Sequence, residues 1–494
     1  MKRFIIAVIA VLGLTLMLGI VALGVAEDTP VTSGQCGENV YWSLDEASGT
    51  LTISGEGDMR YEQRYEYEKL GNKIYTIVVE KGVGRISDSA FSAMMQLKRA
   101  EIHAKTVGYS AFWDCRGLEE VVLDGVETVE ENAFYGCRKL TRLELGNALK
   151  TVESSSFDSI AITKLVIPES MTKFNCSAFY GCSSLTEVVI PDSVTEISGR
   201  FYRCNNLKKV TLGNGVKKLG REVFGQKIQQ IHIKDIDAWL SIKRELGLTD
   251  NDTEYDKENP NFYDGAKLYL NGEQVTSINV DKGTKKIEAY AFKGIVGIKS
   301  VVLPEGLESI GDQAFRGAEI RKLIIPDSVK SIGSRCFFEC KKLKSVVIGA
   351  GAMSFGEKAF YSAMESLYIS SDKAITALSG ADVFFVNGYN NTVGIKRIAV
   401  AKGLKVSSLI ADGYKFTQGI EFGGKEYTVY SLDKYKQAEG ETPIGKGGSS
   451  FGDDKGVVDI AGSVVLIIVF GGLFGTLAVA LAVFFIVRSI KKRR

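Results

Sequence analysis

Chemistry in this 494-residue chain would have to come from two histidines, His103 and His232, eight cysteines, and the closely spaced acids Asp250, Asp252, Glu254 and Asp256. The two histidines lie far apart and have no metal-ligand companion at a recognised spacing. The acidic run alternates like a calcium loop, but Tyr255 stands where the loop needs glycine and the terminal glutamate is misplaced. Neither a His-Glu-x-x-His zinc motif nor a Gly-Lys-Ser/Thr phosphate loop occurs. Acidic pairs are present, yet nothing selects two of them as an acid and a nucleophile. No catalytic, cofactor-binding or metal-binding set is expected, and the chain does not read as an enzyme.

The cysteines lead to the framework. Five of them, Cys115, Cys137, Cys182, Cys204 and Cys340, stand three residues after a phenylalanine. Those phenylalanines recur every 21 to 23 residues, at Phe91, Phe112, Phe134, Phe157, Phe179, Phe201 and Phe224, then at Phe292, Phe315, Phe337 and Phe360. A period in the low twenties means one short supersecondary unit stacked on copies of itself, a solenoid of the leucine-rich-repeat type. Cysteines at one repeat position on stacked rungs point the same way rather than at each other, which argues for buried free thiols and not disulfides.

The unit is clearest between Phe179 and Phe201. Val188 and Ile190 lie two apart and face the core of a strand, while Glu187 and Val189 face outward. Pro191-Asp192-Ser193 ends the strand, because proline fixes φ and the short polar side chains bond turn backbone. Val194 and Ile197 form a second apolar pair, and the phenylalanine plugs the opposite wall. The spacing thus predicts one strand and two turns per rung, mainly β with short turns, and one parallel sheet on one face. Rungs begin at Ile74, Leu97, Leu118, Leu140, Ile162, Leu185, Leu207, Ile228, Val275, Ile298, Ile320, Leu343 and Met364. At the ~4.8 Å spacing of neighbouring strands, thirteen rungs make a body of roughly 60 Å.

This grammar closely resembles the BspA-like leucine-rich repeats over about residues 74 to 369. The resemblance rests on Pro168, Pro191, Pro304 and Pro326, on the cysteines after each phenylalanine, and on the strand pattern. Cys36-Gly37, Tyr41-Trp42 and Leu51 to Gly55 are similar to the N-terminal module of such proteins. Membership implies a surface protein for adhesion or recognition and names no partner.

The register breaks between Ile233 and Val275. Asp235 to Gly247 reads as a short helix with Ala238, Leu240, Ile242 and Leu246 as its apolar positions. A polar stretch from Thr249 to Asn261 follows, and then a type I′ hairpin at Asn271-Gly272. The insert reads as structural embellishment, although a protruding loop is also a common place to bind.

Both ends of the chain are membrane signals. Lys2 and Arg3 precede an apolar run closing on Gly24-Val25-Ala26, a signal peptide over 1–26, although its length also suits an uncleaved anchor. From Ile460 to Val487 the chain has 28 residues without a charge, enough for a C-terminal transmembrane helix. Arg488, Lys491, Lys492, Arg493 and Arg494 then place the C-terminus in the cytoplasm and the repeats outside, in a single-pass cell-membrane protein. Gly471 and Gly475 allow close helix contact and a weak homodimer. The full reading is a signal peptide 1–26, an N-terminal β cap 27–72, a solenoid 73–369 with insert 234–274, and a C-terminal β cap 370–435. A flexible linker 436–459, the span 460–487 and a basic tail 488–494 complete it.

Without Lys2, Arg3 and the five tail cations, 54 of the 61 basic residues face 59 acidic ones, a net of about −5. That excludes a nucleic-acid footprint. The concave sheet is the usual ligand surface of a curved solenoid. Its outward positions form a polar stripe, with Arg99, Glu120, Arg142, Lys164, Glu187, Lys209 and Lys322, whose alternating signs can pair across strands. Beside it runs an aliphatic stripe with Val122, Val166, Val189, Val302, Ile324 and Val347. These residues are the candidate surface for an extracellular protein or cell-surface ligand. An envelope structural role or cell-wall glycan binding is the alternative, and glycan binding calls for exposed aromatic platforms, of which the stripes offer almost none before Tyr368.

Overall fold

The computed structural model describes residues 32–61, 66–221, 223–225, 227–245, 265–352, 354–361, 364–371, 373–374, 397–401, 414–422 and 425–432. The expected signal peptide, linker, membrane span and basic tail lie outside these residues, as do Gly471 and Gly475. Among the described residues no helix is long and apolar enough to cross a membrane.

Each of the thirteen expected rungs contributes a main strand that starts two residues after the predicted leucine-like position, as in Glu187–Ile190 after Leu185 and Lys209–Leu212 after Leu207. Within each bonded stretch these strands pair in parallel without register slip, Glu187 opposite Lys209 and Val188 opposite Val210. Their alternation is the expected one, with Val188 and Ile190 buried and Glu187 and Val189 half-exposed.

The rung is richer than one strand and two turns. The second apolar pair is itself a strand: Glu196–Ser198 pairs in parallel with Lys173–Asn175 and with Lys218–Leu219, forming a second sheet. The third side, which carries the phenylalanine, consists of turns by backbone angle yet is hydrogen-bonded from rung to rung. The amides of Ser110, Phe112 and Asp114 donate to the carbonyls of Glu131, Ala133 and Tyr135 at 3.1, 2.7 and 2.7 Å. To aim alternate amides one way, the residues two before and two after the phenylalanine take left-handed angles in most rungs; Ser177, in the short helical turn Cys176–Phe179, does not. Ser110 and Asp114 have φ of 52° and 56°, and Arg335 and Glu339 of 52° and 58°. A side chain there costs roughly 1–2 kcal/mol per residue, which the rung-to-rung bonds must offset.

Inside, the phenylalanines stack into a ladder. Successive ring centroids from Phe112 through Phe134 and Phe157 to Phe179 lie 4.9, 5.2 and 5.2 Å apart and nearly parallel. Tyr67 and Trp42 extend the ladder into the N-terminal cap, at 5.6 Å from Phe91 and 5.7 Å from each other. That cap is an antiparallel unit, Ser33–Gln35, Gly37–Asp45 and Thr50–Met59, whose last strand pairs in parallel with Thr76–Val79. The core of the stack is thereby covered at this end. All eight cysteines are buried and free. The five at the repeat position each donate to the carbonyl of the preceding rung's phenylalanine, from Cys115 to Phe91 at 3.0 Å through Cys340 to Phe315 at 3.2 Å. Burial pushes the Cys36 and Cys340 thiols up to about 12.

The insert departs from expectation. Its helix is only Ile236–Leu240, capped by the Asp235 side chain, which accepts from the Ala238 amide at 2.6 Å. Lys243–Arg244 is a strand of the second sheet, paired with Lys218–Leu219, because the Lys243 amide is captured by the carbonyl of Lys217. The helix therefore does not reach Gly247, and Leu246 lies outside the described residues. Trp239 is buried, and its indole N–H donates to the carbonyl of Ala291 at 3.0 Å, joining the two runs of repeats. The hairpin is present, with φ of 50° and 91° at Asn271 and Gly272. Its first arm, Lys267–Leu270, also pairs in parallel with Gln230–Ile233 and so adds a strand to the main sheet that the periodicity does not announce. Beyond the last rung, Arg397–Ala401 pairs in parallel with Ser366–Ile369 and antiparallel with Lys425–Leu432, which forms a hairpin with Tyr414–Phe422.

Candidate surface on the main sheet

The sheet register brings the expected stripe residues into line. Arg99, Glu120 and Arg142 are direct strand partners, as are Lys164, Glu187 and Lys209. In each trio one carboxylate lies between two cations. Glu120 Oε2 lies 3.0 Å from Arg142 Nη2 and 3.9 Å from Arg99 Nη1, and Glu187 Oε1 lies 3.2 Å from Lys209 Nζ and 3.7 Å from Lys164 Nζ. Such partly exposed pairs contribute about 0–1 kcal/mol each, so they set register and hydration more than stability.

In the aliphatic stripe, Val166 pairs with Val189 and Ile324 with Val347. Val166 is 53% exposed and Ile324 50%, while Val122, Val189, Val302 and Val347 are half-buried. Lys322 stands beside Ile324 on the same strand and is exposed. Pairing divides the row: strands are joined up to Glu144, from Lys164 to Gln274, from Ser277 to Val302 and again from Lys322. The candidates thus occupy equivalent outward strand positions, in two rows, across separately bonded stretches.

Two differences from the expected surface concern aromatics. Tyr368, the aromatic expected on the stripe, is 2% exposed, because Ala399 on the following strand packs against it together with Val347. Tyr269, on the hairpin arm, instead enters the stripe opposite His232, and the two rings stack at 4.6 Å. Burial, and then the nearby Lys209 charge, pull the His232 imidazole below its usual value. His103 lies between Glu101 and Asp124, at 3.2 and 3.0 Å. Among the described residues no group of three histidine, cysteine or acidic side chains could hold a metal ion. The acids from Asp250 to Asp256 lie outside them. So does Gly448-Ser449-Ser450-Phe451-Gly452, a Gly-x-Ser-x-Gly spacing in a stretch whose composition produces it readily.

The BspA type leucine rich repeat region, in six copies, matches residues 63–126, 105–231 and 265–385. The chain belongs to this family. No curated protein matches it in sequence. Among solved structures it is similar to a leucine-rich repeat protein from Eubacterium ventriosum, at 18% identity and TM-score 0.31, covering 80% of this chain and 99% of that one. A leucine rich cell surface protein from Faecalibacterium prausnitzii aligns at 19% identity and TM-score 0.32, over 74% and 97% of the two chains. A leucine-rich repeat protein from Bacteroides ovatus aligns at 17% and 0.36, over 68% and 94%.

In this BspA-type solenoid the sequence reading missed a set of partly exposed aromatic side chains, at the position just after several of the core phenylalanines. Trp113 and Tyr135 are 42% and 38% exposed there and stack at 6.4 Å. Tyr180 and Tyr202 follow at 5.1 Å, and Phe338 and Tyr361 at 5.0 Å. The signal was present in the alignment of repeats on their phenylalanines, one residue beyond the position used to find them.

Proposed function

We propose that the protein is a membrane-anchored, single-pass cell-surface protein whose extracellular solenoid mediates adhesion or recognition by binding an extracellular protein. Contact is assigned to the outward row of the main sheet. The observation that carries this reading is the pairing of Arg99, Glu120 and Arg142, and of Lys164, Glu187 and Lys209, beside a half-exposed aliphatic line through Val166 and Ile324. A polar rim beside apolar contacts is the make-up of a protein interface, and the hydrogen-bonded sheet beneath holds it rigid, so little entropy is lost on binding. Leucine-rich-repeat solenoids are typically binding scaffolds, and membership of the BspA-type family supports the same class of role. The uncharged segment Ile460 to Val487 and the cations after it support the anchor and its orientation.

The test is capture of purified extracellular-matrix proteins by full-length detergent-solubilised protein, compared with a Val166→Glu/Ile324→Glu variant. Both positions are half-exposed, so the variant should keep its thermal unfolding profile. Capture by the parent protein and loss in the variant is the expected result. Undiminished capture by the folded variant would remove the sheet as the binding face.

A further inference from the structure

Charge is distributed unevenly along the main sheet. Between the leucine-like residue that opens a rung and the last core residue of its strand lie four residues, as in Thr186 to Val189, where only Val188 is buried. In the first four rungs these segments hold Lys98, Arg99 and Arg142 against Glu101, Glu119, Glu120 and Glu144. The signs nearly cancel. From Thr163 to Tyr368, across nine further rungs and the hairpin arm, the same segments hold eight bases and two acids, Glu187 and Glu365. This part of the sheet is cationic, although the chain between its terminal segments is net acidic.

The two acids are already taken. Glu187 is shared by Lys164 and Lys209, and Glu365 lies 3.4 Å from Lys344. Lys208, Lys267 and Lys299 are exposed and make no ion pair among the described residues. The other acids on this side lie in the turns. Asp192, Asp235, Asp281 and Asp327 follow their strands and accept the amides of Asn214, Ala238, Gly283 and Ala350 at 2.6 to 2.9 Å, while Glu319 precedes a strand and bonds Lys342. Like charges on neighbouring strands are destabilising, and alternation of sign, as in Lys164, Glu187 and Lys209, relieves this. Lys299, Arg321 and Lys344 instead hold one repeat position on three consecutive rungs with no acid between them. Burial holds the His232 imidazole below its usual value, and the Lys209 charge adds to burial there and outweighs the opposing one of Glu187.

We infer that the protein partner presents acidic side chains, set among apolar ones, to the main sheet between Lys164 and Val347. This rests on the protein-binding reading and adds the partner's chemistry and the part of the sheet that it takes. Cations and apolar contacts share strands: Lys164 stands two residues before Val166 and Lys322 two before Ile324, Lys299 three before Val302 and Lys344 three before Val347. At about 3.3 Å per residue they lie roughly 7–10 Å apart, so one protein segment can engage both. A nucleic acid or a uronate polymer brings anions but no apolar side chain to cover Val166 and Ile324, each about half-exposed. Only one of the eight cations, Arg321, is an arginine, the residue whose fork suits phosphate. Complementary charge of this kind acts on the rate of association and on partner choice more than on raw affinity.

Full-length detergent-solubilised protein is titrated with a glutamate–tyrosine copolypeptide, a lysine–tyrosine copolypeptide, hyaluronan and poly-dT. Saturable binding of the glutamate–tyrosine chain above the other three, weakening as salt is raised, is expected. A Lys208→Gln/Lys267→Gln/Lys299→Gln variant should lose about ten-fold or more in affinity, mainly through slower association, with a shallower salt dependence. Taking three exposed cations from the second-sheet side instead, in Lys105→Gln/Lys217→Gln/Lys243→Gln, should leave binding as in the parent. All six lysines are exposed, so both variants should keep the parent's thermal unfolding profile. Equal or tighter binding of hyaluronan, poly-dT or the lysine copolypeptide, no binding of the glutamate–tyrosine chain, or equal losses in the two lysine variants would each overturn the inference. Capture of matrix proteins that is lost in Val166→Glu/Ile324→Glu but undiminished in Lys208→Gln/Lys267→Gln/Lys299→Gln would overturn it while leaving the protein-binding reading in place.

Discussion

Replacing Phe157 by alanine should do more than create a cavity. Its ring is fully buried between Phe134 and Phe179, 5.2 Å from each and at interplanar angles of 2° and 11°. A buried Phe→Ala change costs about 3–5 kcal/mol. Two stacking contacts at about 0.5–1.5 kcal/mol each push Phe157 to the top of that range, near 5 kcal/mol. Phe224 stands at the end of its run with one ring neighbour, Phe201, at 6.5 Å, so its substitution should cost nearer 3 kcal/mol. Stability in a solenoid is close to a sum over nearest-neighbour rungs, so the loss should be local. Hydrogen exchange on the full-length protein reads this directly, because the Phe157 amide is bonded to the Ala178 carbonyl at 2.8 Å. Amides in the rungs of Phe134, Phe157 and Phe179 should exchange roughly four thousand-fold faster, with the rungs from Lys322 to Ile369 unchanged. A loss below about 2 kcal/mol, or one spread evenly over both runs of repeats, would refute the ladder as the main local source of stability.

Three further outcomes follow from the turn side and the thiols. Ala93→Gly, at φ 56° and exposed, should stabilise by about 1 kcal/mol, whereas Gly317→Ala, at φ 79° with open space around a new Cβ, should cost a similar amount; opposite shifts in thermal midpoint are the readout, and equal signs would contradict the backbone argument. Burial raises the Asp158 carboxyl above its usual value, so its ionised form opposes folding as pH rises through the folded pKa, and Asp158→Asn should raise the melting temperature at pH 7 but not at pH 3. A gain of equal size at both pH values would point to packing instead. All eight thiols are buried and free, so the native protein should leave a thiol reagent such as DTNB unreacted until it is unfolded, after which eight equivalents should titrate; rapid native reaction of a repeat-position cysteine would contradict its burial.

The two sets of surface positions show how unevenly surface geometry can be read from such a chain. The stripe from Arg99 to Val347 was legible because strand alternation has a period of two, and parallel pairing without slip keeps equivalent positions in line. Tyr368 was misjudged because its burial depends on a strand more than twenty residues further on, which has no repeat signature. The row from Trp113 to Tyr202 went unread for a different reason. The residue after each phenylalanine varies among Ser, Trp, Tyr, Asp, Gly, Lys, Arg and Phe, and Asp158 and Lys293 are buried there, so no constant residue type marks the position.

The sequence by itself determined that the chain is a stack, where its thirteen rungs begin, which residues form the core, and that the repeat-position cysteines serve packing. Each of these is local and repeated, so every copy restates it. Only the tertiary structure decided the second sheet, the hydrogen-bonded turn side, the splice made by Trp239 and Lys243–Arg244, and the added strand Lys267–Leu270. Those features arise between rungs, where a backbone amide takes whichever carbonyl the neighbouring coil presents, and no periodicity within one copy records that choice.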